Sequence, residues 1–126
     1  MAESISVQMD KLMEAYSDKV QSAWEVSLNR VTRESVQRLR NTSPRKTGSY
    51  AKGWALKRVK SMGSTRLVSI IVHNRTDYQL THLLENGHAI VNKKGSYGRA
   101  PAHKHIAPVA EWAQNDLPLE IERELR

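Results

Sequence analysis

The sequence predicts an α+β domain with a long N-terminal helix, a small mostly antiparallel sheet with a short helix inserted, and a C-terminal helix. Three observations carry that expectation. Residues 1–43 contain neither Gly nor Pro and place their apolar side chains at helical spacing. The segment Arg66–His73 is rich in β-branched residues, as strands are. After Pro108 a second helical pattern follows, so the elements run α, β, β, α, β, β, α.

The first helix is expected from about Ser4 to about Asn41. Ile5, Met9, Leu12, Met13, Tyr16, Val20, Ala23, Trp24, Leu28, Val31, Val36 and Leu39 mark its apolar positions, and Pro44 ends it by disfavouring helical geometry at Ser43. At 1.5 Å per residue such a helix is on the order of 54 Å long. A domain of this size has a radius of gyration of only about 14 Å. The helix must therefore kink, project, or lie against a neighbouring subunit.

Beyond the Thr47-Gly48 turn, Tyr50–Lys60 reads as a strand with Gly53 as a bulge or close-approach point. Residues 61–64 are turn-like, and Arg66–His73 returns as the second strand of a hairpin. Asn74–Asp77 is a polar turn. A short helix is expected over 78–86, closed by Gly87 as the residue after its end. Ala89–Val91 forms a short third strand, and residues 92–99 read as a mobile loop because they are polar, basic and carry two glycines. Arg99–His103 is expected as the last strand. Pro108 suits the first turn of a helix starting near Ala107, and Pro118 is expected to kink or restart it before a short, fraying end at Arg126.

With 126 residues the chain is long enough for one domain, 1–126, and too short for two. The absence of cysteine excludes disulfides, thiol nucleophiles and thiolate metal sites. No apolar run approaches the roughly 20 residues of a membrane span, and the first residues lack the basic and apolar regions of a secretory signal. The net charge of +7 is unevenly placed. Residues 1–29 carry −3, residues 30–66 carry +10, and residues 67–126 balance. A basic stretch of that density contacts phosphate, faces an acidic protein surface, or serves as a solvated face.

Three blocks, in this order and spacing, resemble one family. They are Thr42–Trp54 (TSPRKTGSYAKGW), Leu84–Gly87 (LENG), and Arg99–Ala102 (RAPA) leading to His105–Ala110 (HIAPVA). The chain is similar, over roughly residues 40–115, to the small neck or tail-component proteins of long-tailed bacteriophages. That family is typified by gene product ten of a lambdoid phage and is similar to the minor tail protein Z type. The resemblance implies a structural virion protein at the head-to-tail joint or tail completion site, made in the host bacterial cytoplasm. It implies no enzyme activity and no cofactor. Its partners would be itself as a ring oligomer and the neighbouring neck and tail proteins, with non-specific DNA contact at most and no membrane.

As scaffold the resemblance marks Thr47 and Gly48 for the turn, with Tyr50, Gly53 and Trp54 seating the strand. Glu85 and Gly87 would end the short helix, and Arg99, Pro101, His105 and Pro108 would fix the return into the last helix. Candidate partner contacts are Arg45, Lys46, Arg58, Lys60, Lys93, Lys94 and Tyr97. Trp24 and Trp54 are expected in the core of a chain that has no Phe.

Two rival readings stand beside this one. The basic segment suits a nucleic-acid-binding module. The histidines, with His82, Glu85 and His88 in one group and His103 and His105 in another, suit a small metal-dependent hydrolase or nuclease only if the groups meet in space. No metal-ligand spacing such as His-Glu-x-x-His is present, and neither a Gly-x-Ser-x-Gly elbow nor a phosphate-binding glycine loop occurs. Glu85, isolated among apolar and basic neighbours, is expected to pair with a base, Arg99 or the Arg45-Lys46 pair. The alternative is a general acid or base of raised pKa.

Overall fold

The computed structural model describes residues 4–45, 48–59, 68–92 and 95–126. Helix α1 spans Ile5–Thr42 without interruption. Ser4 caps it, its hydroxyl accepting from the Val7 backbone N–H at 3.3 Å, and it ends at Ser43, which is extended, as the residue before a proline prefers. The helix is covered only over its second half. Ala23, Ser27, Leu28, Val31, Thr32, Ser35, Val36 and Leu39 are buried, whereas every residue from Ile5 to Lys19 is exposed. Within the single chain the first half of the helix projects from the domain.

After α1 the chain differs from the expected strand start. Gly48, at φ 84°, turns it into a single helical turn, α2 (Ser49–Lys52), which ends at Gly53. Strand β1 therefore begins at Trp54 and runs to Val59, and Tyr50 and Lys52 belong to a helix rather than to a strand face. Strand β2 (Ser69–Asn74) pairs antiparallel with it, from Trp54 opposite Asn74 to Val59 opposite Ser69. This hairpin runs back along α1, where the Trp24 indole N–H reaches the Val68 carbonyl at 2.7 Å. Trp24 is thus a half-buried anchor for the hairpin rather than a core residue.

A 3-10 turn at Tyr78–Leu80 leads into α3 (Thr81–Asn86), closed by Gly87 at φ 76°. Strands β3 (His88–Asn92) and β4 (Gly95–Ala100) make a second antiparallel hairpin with an irregularity between Ala89 and Val91. The segment expected as a loop over 92–99 is thus strand from Gly95 onward. The strand expected to continue to His103 stops at Ala100 instead. Gly95 and Gly98 have positive φ, which costs glycine little, and Gly98 lies in the stretch of β4 where the register shifts. Among the described residues the strands form two separate two-stranded sheets rather than one.

Helix α4 spans Ile106–Leu125 and passes through Pro118. The expected restart at Pro118 is absent: the helix stays continuous although Pro118 deprives the Gln114 carbonyl of its donor, and both residues are exposed, so water can serve it. Just beyond the proline, the buried Glu120 carboxylate is held by Arg30 of α1 and by Arg123 at 2.9 Å, and Arg30 also reaches Glu124 at 3.6 Å. Helix α4 packs along the second half of α1, with Arg38 stacked over Trp112 at 3.9 Å. The core is small, formed by Val36, Leu39, Tyr50, Trp54 and Val109, with Val72, Leu84 and Ile106 against it.

Candidate functional site

Four of the sequence-marked residues, Tyr50, Trp54, Glu85 and His105, converge where the end of α1, the α2–β1 corner, the end of α3 and the start of α4 meet. Their rings pack edge to face: Tyr50 and Trp54 centroids lie 5.6 Å apart, and Tyr50 and His105 5.5 Å apart. His105 is fully buried. Its Nδ1 lies 2.6 Å from the His103 carbonyl, and its Nε2 lies 2.6 Å from the Tyr50 hydroxyl. A carbonyl only accepts, so Nδ1 carries a proton, and it also lies 3.2 Å from Glu85 Oε1.

Glu85 reaches from the end of α3 to the start of α4. Its Oε1 accepts from the backbone N–H of His105 at 2.9 Å and of Ile106 at 2.8 Å, and Oε2 accepts from Ala107 at 2.9 Å. The next residue, Pro108, has no N–H to satisfy. One carboxylate thereby serves every donor that the first turn of α4 leaves unpaired, at the end of the helix where negative charge is favoured. This corrects the expectation that Glu85 pairs with Arg99 or with Arg45-Lys46. Burial tends to raise its pKa, but the three N–H groups and the neighbouring His105 outweigh that and leave it lowered. An ionised, fully engaged carboxylate is the opposite of a general acid held ready near neutrality.

Tyr50 is likewise engaged rather than reactive. Burial, aided by the negative charges of Glu85 and Asp77, pushes its hydroxyl up to about 12. Trp54, 4% exposed, donates its indole N–H to Ser43 Oγ at 2.8 Å, while Arg40 holds the Trp54 carbonyl at 3.0 Å. The end of α1 is thus tied to the first residue of β1.

Two glycines let backbone segments cross closely. A Cβ on Gly53 would sit 2.2 Å from Thr76 Oγ1 and 2.5 Å from Asn74 Oδ1. A Cβ on Gly87 would sit 2.7 Å from the Ala100 carbonyl oxygen, so the return past Pro101 lies directly against the end of α3. The His103 N–H then bonds to the Leu84 carbonyl at 2.7 Å, and Lys104 reaches Asn86 at 2.8 Å. The LENG and RAPA blocks are therefore joined in space.

Other marked residues lie apart from this junction. Pro101 and Pro108 are exposed, the latter in the first turn of α4 as expected, and Arg99 is an exposed residue of β4 opposite Ala89. Arg45 is exposed and donates to the Arg40 carbonyl at 3.1 Å. Arg58 pairs with Glu25 at 3.3 Å. The helical residues they contact, 40 and 25, are separated by about 22 Å along α1, so Arg45 and Arg58 do not form one compact basic patch. Tyr97 belongs to β4. Lys46, Thr47, Lys60, Lys93 and Lys94 lie outside the described residues.

The His103 and His105 rings are 5.8 Å apart, and His103 Nε2 lies 3.0 Å from the Thr42 carbonyl. Among the described residues no group of three or more His, Asp or Glu side chains is arranged to hold a metal ion.

Sequence reasoning passed over Ser43 and Asn74. Asn74, 2% exposed, accepts from the Asp77 N–H at 2.8 Å and the Thr76 N–H at 3.2 Å and donates to the Tyr50 carbonyl at 2.7 Å. The signal was present in the Asn-x-Thr-Asp string, since Asn organises turns by accepting from N–H groups two or three residues ahead.

A junction of buried, mutually bonded groups built around a projecting helix is a scaffold. The comparison with known families agrees: residues 4–87 match the model of a family described as "Bacteriophage HK97-gp10, putative tail-component". The chain belongs to this HK97-gp10-like family. The family is one of phage tail components rather than a class of enzymes, and a tail component is a structural protein of a tailed phage. The match to the HK97-gp10-like family covers α1, the first hairpin and α3 and ends at Gly87, so it takes in two of the three blocks and stops before α4. Neither the curated proteins nor the solved structures give a match. Among the described residues no helix is long and apolar enough to cross a membrane.

Proposed function

We propose that this HK97-gp10-like protein is a subunit of the head-to-tail joint or of the tail completion ring, resident in the virion, and that it works by assembly. The observation that supports this reading best is the uncovered first half of α1, where Ile5, Leu12, Met13 and Tyr16 are each at least 66% exposed. A soluble protein does not carry so long an apolar stripe into water without a partner for it. The buried junction of Tyr50, Trp54, Glu85 and His105 has the complementary role of holding that helix rigidly on its base.

The test is a joining assay with heads and tails made without this protein. Adding the purified chain should restore joined particles that contain it. Full joining and infectivity in its absence would refute the reading. Tight binding to free duplex that weakens by about 10³-fold between 50 and 200 mM salt would favour a nucleic-acid role instead.

A further inference from the structure

The +10 charge of residues 30–66 is not used uniformly by the fold. Arg30 is neutralised by Glu120 and Glu124, Arg38 by Glu34, and Arg58 by Glu25. Arg40, Arg45 and Lys52 have no carboxylate partner among the described residues, yet they share one cleft of about 220 Å³ where the end of α1 meets α2. Gly48 and Ala51 complete its lining and, being small, add no bulk to fill it. Two of the three cations are held in place. The Arg40 guanidinium donates to the Trp54 carbonyl at 3.0 Å, and that of Arg45 to the Arg40 carbonyl at 3.1 Å. A carbonyl fixes a guanidinium without cancelling its charge, and each guanidinium has further N–H groups to offer. Like charges around one space repel, and an anion between them removes that repulsion.

We propose that this cleft holds a backbone phosphate of a nucleic-acid duplex and that Arg33 meets the same strand farther along. This contact is separate from the assembly surface above and does not depend on it. Arg33 is exposed and also lacks a carboxylate partner among the described residues. It precedes Arg40 by two helical turns, about 10 Å along the same face of α1. Phosphates of one strand recur at about every 3.4 Å of duplex axis, so the two arginines are about three phosphates apart. A lone carboxylate fills the cleft and leaves Arg33 unserved, whereas a polyanion of regular spacing serves both. Guanidinium forks also match the paired oxygens of a phosphate. Single strands are gripped on aromatic platforms, and neither the cleft lining nor the Arg33, Gln37 and Arg40 face of α1 carries an aromatic ring. Phosphate contacts position a duplex without reading its sequence, so the contact is sequence-independent.

The test is binding of the full chain to short random-sequence DNA and RNA duplexes, followed by fluorescence anisotropy over a range of salt. Three or four phosphate contacts should weaken binding by about 40- to 150-fold between 50 and 200 mM salt, less than the roughly 10³-fold or more of a module with six or more contacts. Arg45→Ala and Lys52→Ala, both at exposed positions, should keep the wild-type melting midpoint and weaken binding. Each should flatten the log–log salt slope by about 0.9. Arg58→Ala removes one charge from the same basic segment, but beside Glu25, about 22 Å from Arg40 along α1, and should leave the slope unchanged. Binding to either duplex supports the cleft, and the comparison tells which backbone fits its spacing. No binding at the lowest salt would overturn the proposal. An effect of Arg58→Ala equal to the other two would overturn it by making the attraction diffuse, and tighter binding to single strands would do so by pointing to base stacking. Displacement of the duplex by polyglutamate at matched charge would assign the cleft to an acidic protein instead. None of these outcomes alters the joining of heads and tails, so the assembly reading stands or falls on its own assay.

Discussion

The Oε1 of Glu85 lies 2.8 Å from the backbone nitrogen of Ile106, so a residue ending one helix provides the cap of another. Glu85→Ala removes the acceptor for three N–H groups at once and leaves them under the junction. It should destabilise the fold by about 2–3 kcal/mol in denaturant unfolding. Glu85→Gln keeps one acceptor but loses the charge and one oxygen, and should cost about half as much. Equal and negligible losses for both variants would mean that water replaces the carboxylate freely.

The same carboxylate sets an acid limit. Its folded-state pKa is lowered, so its contribution is fully present above the ordinary carboxylate range, about 4.3, and is lost as pH falls through the folded value. The stability gap between wild type and Glu85→Gln should be flat from pH 8 down to that range and narrow below it. A gap that widens in acid would contradict the assignment.

Tyr50 sets the opposite limit. Burial pushes its hydroxyl up to about 12 in the fold, against about 10 for an unperturbed tyrosine, so the neutral form is the one that the fold prefers. Its contribution is present below pH 10 and is lost as pH rises from 10 toward 12. Tyr50→Phe cannot ionise. The variant should start less stable at pH 8, having left His105 Nε2 without its hydrogen-bond partner, and should lose less stability than wild type across that alkaline window. Parallel loss in both proteins would remove Tyr50 as the cause.

Gly53→Ala tests the close crossing at the α2–β1 corner. The backbone there is ordinary, at φ −77°, so any cost comes from the added methyl meeting Thr76 and Asn74. A loss of about 1–3 kcal/mol in thermal or denaturant unfolding is expected. Gly48→Ala has open space around it but a positive φ and should cost about 1 kcal/mol from the backbone alone. The first variant being the milder would reverse the assigned causes.

Much of the fold was legible from local patterns. The helical spacing from Ile5 to Leu39, the stop at Pro44, the β-branched run before His73 and the glycine at 87 each act within a few residues, and each led to the element observed. What escaped was non-local. Glu85 was read as the partner of Arg99 or Arg45-Lys46 because its real partners are backbone N–H groups and the His105 ring some twenty residues away, and a sequence does not display those. Helix α2 was read as strand because alternation around Trp54 was extended back to Tyr50, although the left-handed turn at Gly48 gives the chain one helical turn first. The helix does not restart at Pro118, since an exposed residue four back can exchange its lost bond for one to water and Arg30 holds the turn beyond it. Ser43 and Asn74, both buried polar residues, matter through what they tie together, and their residue types alone resemble any loop.

The unbroken run of α1 from a packed half into an uncovered half has a kinetic side. An isolated helix of about 15 residues is marginal in water because starting it is unfavourable. Here the start is already made inside the core, and the outer half only extends it one hydrogen bond at a time. A partner therefore meets a preformed rod and loses little ordering entropy on binding it. Fraying should proceed inward from Ser4, giving amide exchange that slows progressively toward Val20, and a docked partner should flatten that gradient from its far end.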